Sequence, residues 1–140
     1  MLNGRCLCGG VRYTVAGKVG PFGFCHCRSC QRAQGGPFVT SAPVRTRYLN
    51  VVTGTDLVRE FESSPGKWRC FCGTCGSPLW SRSRTDPDTV RIRLGLVEGD
   101  PERRPLAHMW VSEKVPWYQI TDDLPQSPGG GEELAAAKLP

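Results

Sequence analysis

A mainly β fold is predicted for this chain by three observations. Seventeen glycines and twelve prolines in 140 residues interrupt long helices and favour turns between short strands. Several segments alternate apolar and polar residues with a period of two, most clearly Val90, Ile92 and Leu94 against Arg91 and Arg93. Seven of the eight cysteines fall into three tight groups, and strand ends and hairpin tips are where a β-rich fold would carry them.

Taken in order, residues 11–15 alternate as a half-buried strand should, and residues 22–25 are a short apolar approach to a cysteine group. Residues 29–34 have room for one helical turn before the Gly35-Gly36-Pro37 breaker. Residues 38–43 and 57–63 read as strands, the second ending at the turn-prone Ser63-Ser64-Pro65-Gly66. Residues 68–72 enter the last cysteine group and residues 79–83 leave it. Residues 90–94 give the clearest strand, and residues 108–111 suggest another. One domain over residues 1–125 is expected, long enough to bury its own core. From Gln126 the composition shifts to Ser127-Pro128-Gly129-Gly130-Gly131, and residues 126–140 are expected to form a disordered tail.

The cysteines carry the chemistry. Cys6 and Cys8 form a C-x-C pair, Cys25, Cys27 and Cys30 a C-x-C-x-x-C group, and Cys72 and Cys75 a C-x-x-C followed by Gly76. Cys70 stands alone, two residues earlier. Thiolates packed this closely favour a soft or borderline cation, most often zinc. A disulfide framework is the competing reading. Against it, C-x-C on a strand rarely reaches bridging geometry without strain. No signal peptide precedes Cys6 either, so a cytoplasmic, reducing location is expected.

The Cys72-x-x-Cys75-Gly76 knuckle supplies half of a tetrahedral site, and Cys6 with Cys8 is the natural donor of the other half. Four thiolates leave no room for substrate, so that site reads as structural. Cys25, Cys27 and Cys30 offer three thiolates and an open position, the pattern of a reactive site. Cys70 as a fourth ligand would make it structural too. Two zinc ions per chain are therefore expected.

The net charge of +5 falls to about +2 once seven thiolates and two zinc ions are counted. Arg12, Arg28, Arg45, Arg59, Arg82 and Arg91 are scattered, with only Arg103 and Arg104 adjacent, so a nucleic-acid partner is not expected. No apolar run is long enough to cross a bilayer.

The combination Gly4-x-Cys6-x-Cys8-Gly9-x-Val11, Cys25-His26-Cys27-x-x-Cys30 and Phe71-Cys72-x-x-Cys75-Gly76-Ser77 resembles the glutathione-dependent formaldehyde-activating enzyme family, which includes centromere protein V. Ser63-Ser64-Pro65-Gly66, His108-x-Trp110-Val111, Lys114-x-Pro116-Trp117 and Asp123-Leu124-Pro125 extend the likeness over residues 4–125. The resemblance implies an antiparallel β-tent fold. It assigns Cys6, Cys8, Cys72 and Cys75 to a structural zinc, and Cys25, Cys27 and Cys30 to a catalytic one. Cys70 lies outside the pattern and reads as a small buried residue.

Three thiolates leave a zinc ion with a net charge of about −1, a poor electrophile but able to hold a fourth thiol as its thiolate. Attack of that sulfur on formaldehyde gives an S-hydroxymethyl adduct, and the reverse cleaves carbon–sulfur. The expected function is a zinc-dependent carbon–sulfur lyase resembling S-(hydroxymethyl)glutathione synthase, with glutathione or a similar small thiol as partner. Arg28 and Arg32 flank the cluster and are candidates for its carboxylates. His26 and His108 read as hydrogen-bonded or core histidines, and the four tryptophans as core or pocket walls. The alternatives are a non-catalytic zinc module for protein or nucleic acid, a thiol carrier, and a redox or metal-buffering role.

Overall fold

The computed structural model of the protein describes residues 1–131. In chain order the elements are β1 Leu2–Arg5, β2 Arg12–Val15, β3 Phe24–Cys25, α1 Arg28–Gln34, β4 Val39–Arg45, β5 Leu49–Thr53, β6 Val58–Ser64, β7 Lys67–Cys72, β8 Pro78–Ser83, β9 Asp86–Arg93, β10 Val97–Glu98 and β11 His108–Met109. The predicted β-rich class is observed, with one α-helix among the described residues.

The strands form a four-stranded sheet, β10-β1-β2-β5, and a seven-stranded sheet, β11-β3-β4-β9-β8-β7-β6. All neighbours are antiparallel except β11 and β3. The core lies between them. Val11, Tyr13 and Val15 from the β2 segment meet Ala42, Val44, Trp80, Val90 and Ile92 from the larger sheet. Tyr13 and Trp80 pack edge to face with centroids 5.8 Å apart, an arrangement favoured by the aromatic quadrupole. The Tyr13 ring also explains Gly4, its partner across the β1–β2 ladder. A Cβ on Gly4 would lie 2.2 Å from the Tyr13 Cζ.

The strands β1, β5 and β10 were not anticipated. Leu2–Arg5 and Val97–Glu98 are too short to show a period, and Leu49–Thr53 does not alternate. They gain their stability from the ladder they complete, not from local pattern. The helix at residues 29–34 was anticipated, and its ends have local causes. The Cys27 thiol caps the start by accepting from the Cys30 N–H, and Gly35, at φ 72°, ends it with its N–H on the Gln31 carbonyl.

Beyond Pro125 the backbone follows the β11 segment. His108 N–H donates to the Pro125 carbonyl, Ser127 N–H to the His108 carbonyl, and Trp110 N–H to the Gly129 carbonyl. Part of the segment expected to be a tail thus lies hydrogen-bonded against residues 108–112, and residues 132–140 lie outside the described residues. No helix among the described residues is long and apolar enough to cross a membrane.

Candidate functional site

All eight cysteines are free thiols, and seven of them gather in two groups. In the first, the Sγ atoms of Cys6, Cys8, Cys72 and Cys75 all lie within 4.8 Å of one another. Two edges measure 3.5 Å (Cys6–Cys8) and 3.9 Å (Cys8–Cys72). A tetrahedral zinc–thiolate centre, with bonds of about 2.3 Å, has sulfur–sulfur edges of about 3.8 Å. A disulfide needs about 2.05 Å. The donor set therefore fits a metal ion and not a bridge.

The local chain explains the gathering. Cys6 and Cys8 occupy the turn between β1 and β2, and Cys72 and Cys75 the tip of the β7–β8 hairpin. Gly9 N–H donates to the Cys6 carbonyl and Gly76 N–H to the Cys72 carbonyl, so each pair curls on a similar knuckle. Gly76 has φ 76°, a conformation in which a side chain would be strained. The Val11 N–H points at the Cys6 sulfur at 3.3 Å, and the Ser77 hydroxyl lies 3.2 Å from the Cys75 sulfur. That Ser77 bond is the main cause lowering the Cys75 thiol to about 5. These donors favour thiolate over thiol.

In the second group the Sγ atoms of Cys25, Cys27 and Cys30 also lie within 4.8 Å of one another, with no fourth His, Cys, Asp or Glu among the described residues. Cys25 ends β3, Cys27 caps α1 and Cys30 lies in its first turn. The hydrogen bond from Cys25 brings the Cys30 thiol down to about 5, against its burial, with help from Cys27 and the Arg69 charge. The same bond and burial push the Cys25 thiol far up. Arg69 Nη1 stands 4.0 Å from the Cys30 sulfur.

That approach decides the place of Cys70. Neighbouring strand residues point to opposite faces of a sheet. Arg69 faces the second group, so Cys70 faces away. It is buried in the core, its thiol 3.7 Å from Glu60 Oε1, and it joins neither group.

Behind the second group the buried His26 and His108 rings are joined, with His26 Nε2 2.8 Å from His108 Nδ1. His108 Nε2 in turn lies 2.9 Å from the Asp122 carboxylate. Asp122 accepts, so His108 Nε2 carries a proton, and in the neutral ring its Nδ1 accepts from His26 Nε2–H. His26 Nδ1 is then a bare lone pair, buried and without a partner. His26 sits low, at about 4, through burial and the neighbouring His108 and Lys114. Both histidines are thus hydrogen-bonded and buried, but their partner Asp122, fourteen residues beyond His108, has no signal in the sequence.

Gln31 was also missed. Its side chain is 5% exposed and donates to the carbonyls of His26, at 2.6 Å, and Glu113, at 2.9 Å. Its amide oxygen accepts from Arg28, while the Glu113 carboxylate accepts from the Arg28 N–H at 3.1 Å. The cysteine loop is thereby clamped to the turn after Trp110.

A cavity of about 520 Å³ includes Cys25 and is walled by Phe22, Met109 and Trp110, with Lys67 and Arg91 as its basic lining. Trp110 adopts φ 57°, held there by its N–H on Gly129 and by Glu113 N–H on its carbonyl. Such a conformation at a bulky residue costs about 1–3 kcal/mol. Arg28 and Arg32 line a different hollow of about 200 Å³, beside Trp117. Of the other tryptophans, Trp80 is in the core, Trp68 stacks under Arg82, and Trp117 is 70% exposed.

The sequence profile of the glutathione-dependent formaldehyde-activating enzymes matches residues 1–113. The chain belongs to that family. A solved crystal structure of a Rhodobacter sphaeroides protein superposes with a TM-score of 0.59 at 26% identity, covering 70% of this chain and 89% of that one. No curated protein matches the chain. Membership in the formaldehyde-activating family agrees with the two cysteine groups, each of which could hold a metal ion.

Proposed function

We propose that the protein is a zinc-dependent carbon–sulfur lyase acting on the adduct of formaldehyde with glutathione or a closely similar thiol. The observation that carries this reading is a three-thiol group with no fourth donor among the described residues, opening on a cavity through Cys25. In this proposal Cys6, Cys8, Cys72 and Cys75 hold a structural zinc, and Cys25, Cys27 and Cys30 a reactive one. Zinc held by three thiolates would supply a soft position for one further thiol and lower its pKa.

The chain's own residues prepare that position. Arg69 offsets the negative charge collected at Cys30. Cys27 is held by the first turn of α1, and Gln31 fixes the loop that carries all three sulfurs. Phe22, Met109 and Trp110 shield one side of the cavity from water. In the synthetic direction the substrate thiolate attacks the formaldehyde carbon and a carbon–sulfur bond forms. The carbonyl π pair moves to oxygen, which takes a proton. Lyase action is the reverse: the hydroxyl proton leaves, the carbonyl reforms, and sulfur departs with the bonding pair.

Two-dimensional exchange NMR on glutathione with formaldehyde tests this. Zinc-loaded wild type should speed the exchange beyond the spontaneous rate. Cys27→Ser should not, although it stays folded, because serine also caps a helix and lacks only the soft ligand. Equal rates with wild type, variant and no protein would refute the lyase reading.

A further inference from the structure

Lys67 and Arg69 on β7 and Arg91 and Arg93 on β9 share one face of the larger sheet. Residues paired across an antiparallel ladder lie on the same face. Ser41 pairs with Arg93, Ser81 pairs with both Arg91 and Arg69, and Cys25 pairs with Val39, two residues before Ser41. The cationic face is therefore the face of the second cysteine group.

Among the described residues these four cations have no carboxylate of their own. The ion pairs among the described residues are Arg5–Glu98, Arg82–Glu60, Arg104–Asp100 and His108–Asp122. Arg93 is 4% exposed and its Nε has no hydrogen-bond partner. Burial first, and then the Arg69 charge, holds the Arg93 guanidinium below its ordinary pKa. Lys67 is lowered likewise, by burial and then by Arg91, Arg69 and Arg93. Crowded, part-buried cations demand a counter-charge. Three thiolates around a divalent ion carry only about −1, so a positive surplus remains. It reaches the cavity through Lys67 and the exposed Arg91.

We propose that Lys67 and Arg91 form an anion subsite that holds a carboxylate of the thiol whose sulfur lies at Cys25, Cys27 and Cys30. The chain then selects carboxylate-bearing thiols over neutral ones. This deepens the thiol-binding reading above and rests on it. Arg69 and Arg93 add positive potential behind the subsite. Asp86 is the one acid lining the cavity among the described residues; it suits an ammonium, so a thiol built from an amino acid meets both signs. A cavity of about 520 Å³ is within the usual range for a small-molecule ligand. None of the three cysteines lines the Arg28 and Arg32 hollow, so this proposal takes the carboxylate contact on the sheet in place of α1.

Isothermal titration calorimetry on zinc-loaded protein reads this directly, with glutathione, S-methylglutathione and glutathione diethyl ester as probes. A charge-assisted contact is worth about tenfold to a hundredfold in affinity, so the diester should bind that much more weakly than glutathione. Arg91→Gln and Lys67→Met should each weaken glutathione and S-methylglutathione by about tenfold and leave the diester within about twofold. The sulfur-blocked probe separates the two readings. If it binds as tightly as glutathione, the thiol contact fails, yet its loss of affinity in Arg91→Gln still supports the subsite. Diester binding equal to glutathione, or a variant that weakens acid and ester alike, overturns the proposal.

Discussion

Replacing Gln31 by leucine should loosen the second cysteine group more than the rest of the molecule. The side chain is almost fully buried and donates to two backbone carbonyls, His26 at 2.6 Å and Glu113 at 2.9 Å. Leucine keeps much of the volume and all of the helix propensity but donates nothing. The His26 carbonyl belongs to a fully buried residue, and leaving it unpaired costs about 1–3 kcal/mol. The Glu113 carbonyl is at a half-exposed residue, where water can replace the donor, so its loss costs about 1 kcal/mol or less. The total is about 1–4 kcal/mol. With a urea m-value of about 1–3 kcal/mol per molar, the unfolding midpoint should fall by about 1–2 M. Tryptophan fluorescence in urea measures it. A chromophoric chelator in native buffer should also strip one zinc of the two much faster than in wild type. A midpoint within about 0.3 M of wild type, or equal acceleration of both zinc ions, would refute the clamp.

Three further outcomes are expected. Gly4→Ala sets a Cβ 2.2 Å from the Tyr13 ring, and the overpacking, about 1–3 kcal/mol, should lower the melting temperature in calorimetry by about 3–10 °C. Native mass spectrometry should count two zinc ions on the wild type and one on Cys30→Ser; two on the variant would refute separate sites. Glu60 is held below the usual carboxylate range chiefly by its Arg82 hydrogen bonds. Its contribution is therefore fully present above its unfolded pKa of about 4.3 and is lost as the pH falls through the lower folded value. Glu60→Gln should lose about 0.5–1 kcal/mol at pH 7 in urea unfolding, with the difference from wild type shrinking below pH 4.

The cysteine spacing carried most of what the sequence could say, because C-x-C and C-x-x-C-G determine local turns whatever surrounds them. The pairing of Cys6 and Cys8 with Cys72 and Cys75 followed from counting donors. The β9 strand was legible because Val90 and Ile92 face a core that Arg91 does not. Arg91 itself looked like scattered surface charge. Its relation to Lys67, Arg69 and Arg93 exists only once β7 and β9 pair with the two edges of β8, and ladder register is not written in any one segment. Cys70 was ambiguous for the same reason: only the strand parity set by Arg69 shows which way it points. Asp122 and Gln31 act on partners fourteen and eighty-two residues away and left no local pattern to find.

The first cysteine group has a topological consequence. Cys8 and Cys72 are 64 residues apart, and the whole second group lies inside the span they close. A metal cross-link there would deprive the unfolded chain of about 4 kcal/mol of loop entropy, by analogy with a disulfide of that reach. It would also shorten the search by which β3 and β4, inside the span, meet the strands that flank it. The exposed Cys8 is the clasp's accessible sulfur. An oxidant that takes it would open the ring from outside, and the second group would lose its frame without itself being touched.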